Sequence, residues 1–133
     1  MLLTTRPYMI NQHEVPAFIT DRLPEISSDM KQALCAGNTQ AIPVYKSIQV
    51  LADFTRRMAV EHNFSMVKKC MKLVDRIYEK GNQAVQLAVE NVFVFSFSSL
   101  IGSCNLLECR IMQSYMPVRL YTLYVQQVLK SNN

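Results

Sequence analysis

The fold class is decided by residues 63–101, NFSMVKKCMKLVDRIYEKGNQAVQLAVENVFVFSFSSLI. In the first half of this stretch, apolar residues recur at the i, i+3, i+4, i+7 spacing of one helical face. These residues are Val67, Cys70, Met71, Val74, Ile77 and Tyr78. Asn63 suits the N-cap of this helix, and Gly81 with Asn82 supplies a stop and a restart. The pattern therefore predicts two helices joined as a tight antiparallel hairpin.

The second half, residues 83–101, is strongly apolar and has two interpretations. Val92 to Phe97 is β-branched and aromatic, which is typical of a strand. Gln83 to Glu90, however, contains no helix breaker and keeps the helical period. A helix that is apolar on all sides suits a position surrounded by other helices. We therefore predict a central apolar helix near residues 83–101, enclosed by the rest of the domain.

Helical signals continue on the N-terminal side of this hairpin. Asn11 and Glu14 form a capping-box pattern for a first helix, and the proline after Leu23 ends it. Ser27 or Ser28 can cap a short second helix. A long third helix is predicted to begin at Val44 and to end near His62, because its apolar residues follow one helical face.

Two shorter helices are predicted after the apolar segment, at about residues 105–115 and 118–129. Pro117 suits the first turn of the last helix, where a missing N–H costs nothing. The chain is therefore predicted to be all-α, a single domain over residues 1–133 built as a bundle of about six to seven helices. Residues 1–10 show no such signals and are expected to form a loosely ordered N-terminal segment.

The composition supports this architecture. The chain has 133 residues, of which 50% are hydrophobic and 18% charged, as in globular proteins. Only three glycines occur, so glycine-dependent turns and phosphate-binding loops have little to be built from. Each follows a predicted helix, where a left-handed residue closes the last turn, so we expect Gly37, Gly81 and Gly102 to serve as helix stops.

The cysteines and the hydropathy pattern indicate a soluble protein of the cytoplasm. The four cysteines, Cys35, Cys70, Cys104 and Cys109, are expected to be free thiols, since a chain of this length needs no disulfide framework. The longest uncharged stretch, residues 91–107, is interrupted by serines and is shorter than the roughly 20 apolar residues of a membrane span. No contact with a membrane is expected.

Catalytic and metal-binding patterns are not evident in the sequence. His13 and His62 are far apart, and the cysteines lack the C-x-x-C spacing of a zinc site. Asp75 and Glu79 lie among basic residues, as on a solvated helical face. No glycine-rich nucleotide motif occurs. We therefore expect no catalytic residue, cofactor or metal, and leave open an enzyme whose site combines residues distant in sequence.

The surplus of positive charge lies on the third and fourth helices. Residues 44–80 carry eight basic and four acidic residues, whereas the remaining residues carry six of each. Such a face can attract an acidic protein or a nucleic acid, or can serve only to keep the protein in solution. The candidate binding face consists of Arg56, Arg57, Lys68, Lys69, Lys72, Arg76 and Lys80. A second candidate interface, for a partner or a homodimer, is Tyr121 with Tyr124 in the last helix.

Three segments also carry a resemblance to a known family: IPVY at residues 42–45, VLADFT at residues 50–55, and KLVDRIYEKGNQAVQLAVENVF at residues 72–93. The chain resembles small bacterial proteins, found especially in Bacteroidetes and classed as a domain of unknown function, over roughly residues 10–130. Related small domains near polymorphic toxin genes resemble immunity proteins, which implies a protein partner. Many members of the family that this chain resembles look to carry an acidic residue in the middle of the fifth helix. The corresponding region of this chain, Phe93 to Phe97, has no acidic residue.

These observations lead to one principal hypothesis and two alternatives. The principal hypothesis is a non-enzymatic helical protein that binds a partner protein, in the manner of an immunity protein. The first alternative is a regulator associated with nucleic acid through the basic face. The second is an enzyme with a site that sequence patterns do not reveal.

Overall fold

A computed structural model of the protein describes residues 9–36, 43–103 and 105–131. These residues form a single helical domain of seven helices, and no strand occurs among them. The helices are α1 (Val15–Arg22), α2 (Ser27–Ala36), α3 (Val44–Val60), α4 (Phe64–Lys80), a long central helix, α7 (Leu106–Ser114) and α8 (Val118–Ser131). The central helix consists of α5 (Gln83–Ala88), a π segment (Val89–Val94) and α6 (Phe95–Ser103). The prediction of an all-α bundle is thus confirmed, and the strand interpretation of residues 92–97 is wrong.

Caps predicted from the sequence are present at Asn11, Asn63 and Asn82. Asn11 and Glu14 form the capping box of a short 3-10 turn that leads into α1. The side chain of Asn63 accepts a hydrogen bond from the amide of Met66 at the start of α4, and Asn82 caps α5 in the same way. These asparagines satisfy amides that have no partner within the helix, so the boundaries of the hairpin follow directly from the sequence.

The core is formed by α3, α4 and the central helix, with α1, α2 and α8 packed around them. Their inward faces bury residues such as Ile48, Leu51, Met71, Val74 and Phe93 almost completely. Each fully buried aliphatic or aromatic side chain contributes about 1.5–3 kcal/mol of transfer free energy. The hairpin and α3 therefore form the stable platform on which the surface features lie.

The π segment shifts the inward face of the central helix by one residue. A π turn closes with i→i+5 hydrogen bonds, so one additional residue is accommodated within the turn. As a result Phe93 and Phe97 point into the core, where their rings stack at 6.5 Å, while Phe95 points outward. One face of the central helix is exposed, so the prediction that the helix is enclosed was wrong for that face. The exposed residues along it are Leu87, Asn91, Phe95, Ser99 and Gly102.

The end of the N-terminal segment is docked rather than loose. Ile10 is fully buried, its amide donates to the carbonyl of Lys80, and its carbonyl accepts from the amide of Asn82. It forms a parallel bridge with Gly81 in the turn between α4 and α5. The expected loosely ordered segment therefore does not extend to Ile10, and residues 1–8 lie outside the described part of the chain.

The helix stops differ from the expectation based on glycine. Gly81 has an extended backbone, with φ −77° and ψ 151°, because the chain there must pair with Ile10. The left-handed residue is instead His62, with φ 61°, whose amide donates to Ala59 while the amide of Asn63 donates to Met58. This is the Schellman pattern that closes α3. Gly102 lies within α6, and Gly37 lies outside the described residues.

The central helix is longer than the uncharged stretch that the sequence suggested. Gln83–Gly102 spans 20 residues, and its most apolar window of 18 residues has a mean hydropathy of 1.6. In length and composition alone it is the one candidate for a membrane span among the described residues. It packs on α3, α4 and α8 and buries residues such as Val85, Val89 and Phe93, and 44% of its most apolar window is buried within the domain.

Candidate basic interface and neighbouring surfaces

The seven basic residues predicted as a binding face do not share one environment. Arg57 forms an ion pair with Asp29 at 3.0 Å, and Lys69 lies 3.7 Å from Glu25. These two cations are therefore partly neutralised by residues of α2 and of the turn before it. Arg56 donates to the backbone carbonyl of a residue in α6, which places it on the other side of α3.

Lys68, Lys72 and Arg76 remain as one row along the outer side of α4, which we call the α4 row. All three are exposed, and no ion pair with a described residue involves them. They are four residues apart, so their Cα atoms lie about 6 Å from one another along the helix. Lys80 continues the spacing at the last turn of α4 and is half-buried. Three to four cations are thus presented in a line on a rigid helix.

The acids that would normally balance this row are held by another helix. Arg119 at the start of α8 donates from Nε to Asp75 at 3.0 Å and from Nη2 to the same carboxylate at 3.3 Å. The same guanidinium lies 3.7 Å from Glu79. The bond to Asp75 raises the pKa of Arg119 further above its ordinary value, and the guanidinium is charged at any ordinary pH. Both acids of α4 are therefore directed towards α8, and the row keeps its positive charge.

The family comparison covers most of the domain. A model of the family described as a domain of unknown function (DUF7674) matches residues 16–130. The chain belongs to the DUF7674 family. No curated protein and no solved structure is significantly similar to it. The match agrees with the resemblance seen in the sequence to an uncharacterised domain family. The geometry of the DUF7674 domain itself is therefore the basis for a functional proposal.

A second surface of the DUF7674 domain lies along the π segment. Leu87, Asn91 and Phe95 form a line on the outer face of the central helix, which we call the Phe95 stripe. Phe95 is 64% exposed and Leu87 is 42% exposed. Tyr45 lies beside the stripe, and its hydroxyl accepts a hydrogen bond from the side-chain Nδ2 of Asn91 at 3.3 Å. Sequence periodicity missed this surface because it placed the whole helix inside the core.

The polar contacts that hold the π segment also escaped the sequence analysis. The hydroxyl of Tyr78 donates to the carboxylate of Glu90 at 2.7 Å, and the side chain of Gln127 donates to the Glu90 carbonyl. Desolvation, which is the larger cause, and the hydrogen bond to Glu90 together raise the pKa of Tyr78 to about 12. The pair lies beside an open cleft of about 510 Å³ between α4 and α8, lined by Arg119 and Thr122 among others.

An imidazole and a carboxylate meet at the corner between α3 and α4. The Nε2 of His62 lies 2.7 Å from Oε2 of Glu108 in α7, and the ring of Phe64 contacts the imidazole edge. The adjoining cleft of about 240 Å³ is lined mostly by apolar side chains. Its described lining brings no serine, cysteine or lysine to the imidazole, so the arrangement as seen is a tether between α7 and the core.

The two tyrosines of the predicted second interface have different environments. Tyr121 is 44% exposed, whereas Tyr124 is half-buried and its hydroxyl accepts a hydrogen bond from Gln113. Their rings lie 6.1 Å apart. Tyr121 is therefore accessible to another molecule, while the half-buried ring of Tyr124 packs beside it.

The cysteines of the described chain are not grouped. Cys70 is fully buried and Cys109 half-buried, and both are free thiols. Cys70 is a core residue, and burial raises the pKa of its thiol to about 11, so the thiol stays protonated near neutral pH. The side chains of Cys35 and Cys104 lie outside the described residues. Within the described ranges, no three metal-binding side chains come together.

Proposed function

We propose that this DUF7674 domain binds an acidic partner protein through the α4 row and has no catalytic activity of its own. The observation that carries the proposal is the uncompensated charge of Lys68, Lys72 and Arg76, whose neighbouring acids are held by Arg119. Charge that is not balanced within the molecule attracts an oppositely charged surface over long range and accelerates association.

The spacing of the row favours a protein partner. Carboxylates four residues apart on a helix repeat at about 6 Å, which matches the spacing of the three cations. A partner helix with Asp or Glu at i, i+4 and i+8 can therefore pair with all three side chains together. The helix that carries the row is held on its inner side by fully buried residues, so the row is positioned before the partner arrives.

The number of unpaired cations disfavours nucleic acid. Neutralising three phosphates gives a slope of about −2.7 in log K against log salt, which is a loss of roughly 40-fold for a fourfold rise in salt. Proteins that bind DNA commonly make about 6–10 phosphate contacts. Binding of nucleic acid through the same row is the second candidate, and it would be weak and independent of sequence.

Within this proposal, the resemblance to immunity proteins suggests what binding achieves. A compact helical domain that covers an acidic site on another protein would act as its inhibitor, and the free thiols are in keeping with an encounter in the cytoplasm. The proposal specifies the chemistry of the partner's surface, which is a row of carboxylates.

The test is affinity capture from the native host with two matched variants. The first replaces Lys68, Lys72 and Arg76 by Glu. The control replaces three exposed cations outside the row, Lys31, Lys46 and Arg110, by Glu, so that both variants have the same net charge. The captured material is eluted with increasing salt, treated with nuclease in parallel, and identified by mass spectrometry.

We expect the parent and the control to retain the same acidic protein, and the row variant to lose it. Equal retention by both variants would show that the row is not the binding surface. Material that disappears after nuclease treatment would replace the proposal with the nucleic-acid alternative. Turnover of a substrate by the purified chain would contradict the statement that it is not an enzyme.

A further inference from the structure

The Phe95 stripe lies outside the α4 row and calls for a separate explanation. A helix that otherwise packs in the core presents Leu87 and Phe95 to solvent, at 42% and 64% exposure. The π segment between them is what turns Phe95 outward, and π turns often occur where a helix serves a function. The turn is held in place by contacts from Tyr78 and Gln127 to Glu90, so the exposure of Phe95 is built into the fold.

The order of residues along the stripe is symmetric about its centre. Leu87 and Phe95 each lie four residues from Asn91, and the small residues Ala84 and Ser98 each lie seven residues from it. When two identical helices pack antiparallel about a two-fold axis, residues at equal distances from the centre meet each other. With the axis at Asn91, Leu87 of each copy meets Phe95 of the other. The small residues at both ends allow the two helices to approach closely.

We propose that the Phe95 stripe is the contact between two copies of this chain, related by a two-fold axis that passes near Asn91. An amide side chain is both donor and acceptor, so Asn91 can pair with Asn91 of the second copy across the axis. Its present bond to the hydroxyl of Tyr45 fixes the side chain at the surface. This inference does not depend on the proposed function, because the α4 row lies on another helix.

The surroundings of the stripe suit a second copy. Beside Phe95 lies an open cleft of about 310 Å³ that Leu123, Gln126 and Lys130 of α8 help to line. The cleft is large enough for Leu87 of the second copy. The stripe itself carries no charged residue, and the cleft carries one acid, Glu90, and one base, Lys130. The stripe therefore brings no charged side chain against the second copy, and the carboxylate of the neighbouring Glu90 is held by Tyr78.

The available area is sufficient for a specific dimer. Residues 83–99 extend over about 24 Å of helix, and the stripe is flanked by Tyr45 on one side and by α8 on the other. Three helix widths of about 10 Å give roughly 700 Å² per copy, close to the ~800 Å² of a standard interface. Interfaces of this area include dimers of micromolar affinity, so the experiment has to reach millimolar concentrations of the chain.

The first experiment measures mass by sedimentation equilibrium from about 10 µM to about 1 mM. The parent chain is compared with Phe95→Asp and with the control Val118→Asp, which places the same charge at another exposed apolar position. We expect the parent and the control to dimerise, and the dimer of Phe95→Asp to be at least tenfold weaker. A parent that remains monomeric at the highest concentration, or a dimer that Phe95→Asp leaves unchanged, overturns the inference.

The second experiment tests the two-fold arrangement and does not require loss of a side chain from the core. Asn91→Cys should form a disulfide-linked dimer under mild oxidation, since the two thiols meet at the axis. A mixture of Leu87→Cys and Phe95→Cys should cross-link to each other faster than either does to itself. Faster formation of the Phe95→Cys homodimer would mean that the helices are not antiparallel and would overturn the proposed geometry. The parent chain, with its own cysteines, gives the background.

Discussion

Replacing Tyr78 by Phe should destabilise the domain by about 1–2 kcal/mol near neutral pH. The change removes one hydroxyl and leaves the ring, so packing is preserved and the lost interaction is the bond to the carboxylate of Glu90. Hydrogen bonds to charged groups contribute about 1.5–3 kcal/mol. Water can reach the half-buried Glu90 in the variant and partly replace the lost hydroxyl, which lowers the expected loss to about 1–2 kcal/mol.

The dependence on pH gives this prediction a sign. The pKa of Tyr78 is raised to about 12 in the folded protein, whereas an unfolded tyrosine titrates near 10. A raised pKa stabilises the fold fully below pH 10, and this contribution is lost as the pH rises from about 10 to about 12. Two pH units correspond to about 2.7 kcal/mol, an upper limit for a side chain that is only partly buried.

Urea unfolding of the parent and of Tyr78→Phe at intervals from about pH 8 to about pH 11 provides the assay. The other tyrosines are common to both proteins, so their ionisation cancels in the difference. The difference in unfolding free energy should be constant up to about pH 9.5 and should shrink by up to about 1.4 kcal/mol at pH 11, which is half of the upper limit. A difference that does not change with pH, or that is absent at pH 8, would refute the role assigned to the Tyr78 and Glu90 pair.

Three further predictions follow from local geometry. In Gly81→Ala the added Cβ would lie 2.4 Å from Val85 Cγ1, so thermal unfolding should show a loss of stability of about 1–3 kcal/mol. In Gly102→Ala the added Cβ has nothing within 4 Å, so the stability should increase by about 0.5–1 kcal/mol. The reverse order of stabilities would contradict the packing of the hairpin. His62→Gly should be about 1 kcal/mol more stable than His62→Ala in chemical denaturation. Both variants lose the contact with Glu108, and only alanine is strained at φ 61°. Equal stabilities would argue against the left-handed closure of α3. Cys70 should resist alkylation at pH 8 in the native state and react once the protein is unfolded in urea, since its thiol is buried and has a pKa of about 11. Peptide mapping locates the labelled cysteine. Rapid labelling of Cys70 in the native state would show that the thiol is not buried.

The helices themselves were predictable because their signals are local. Asn63, Asn82 and Asn105 each precede a helix and each accepts a hydrogen bond from an amide of the first turn, as short-range capping rules require. The period of apolar residues in α4 likewise matched its buried face. Such features depend on residues within one or two turns, which a sequence displays directly.

The surface features depended on contacts between distant residues and could not be predicted in that way. The π turn exposes Phe95 because Tyr78 and Gln127, from two other helices, hold Glu90. The α4 row keeps its charge because Arg119, 44 residues away, binds Asp75. Charge counting placed the candidate face on the third and fourth helices, but only the fold shows which of the predicted cations are paired.

Zero-length carbodiimide cross-linking tests the central claim most directly, because it joins a lysine amine only to a carboxylate in contact with it. Performed on the tagged protein with its captured partner, it should link Lys68 and Lys72 to Asp or Glu residues of that partner. The exposed Lys31 and Lys46 provide internal controls within the same chain. Links that arise from the control lysines as readily as from the row, or from them alone, would contradict the assignment of the α4 row as the binding surface.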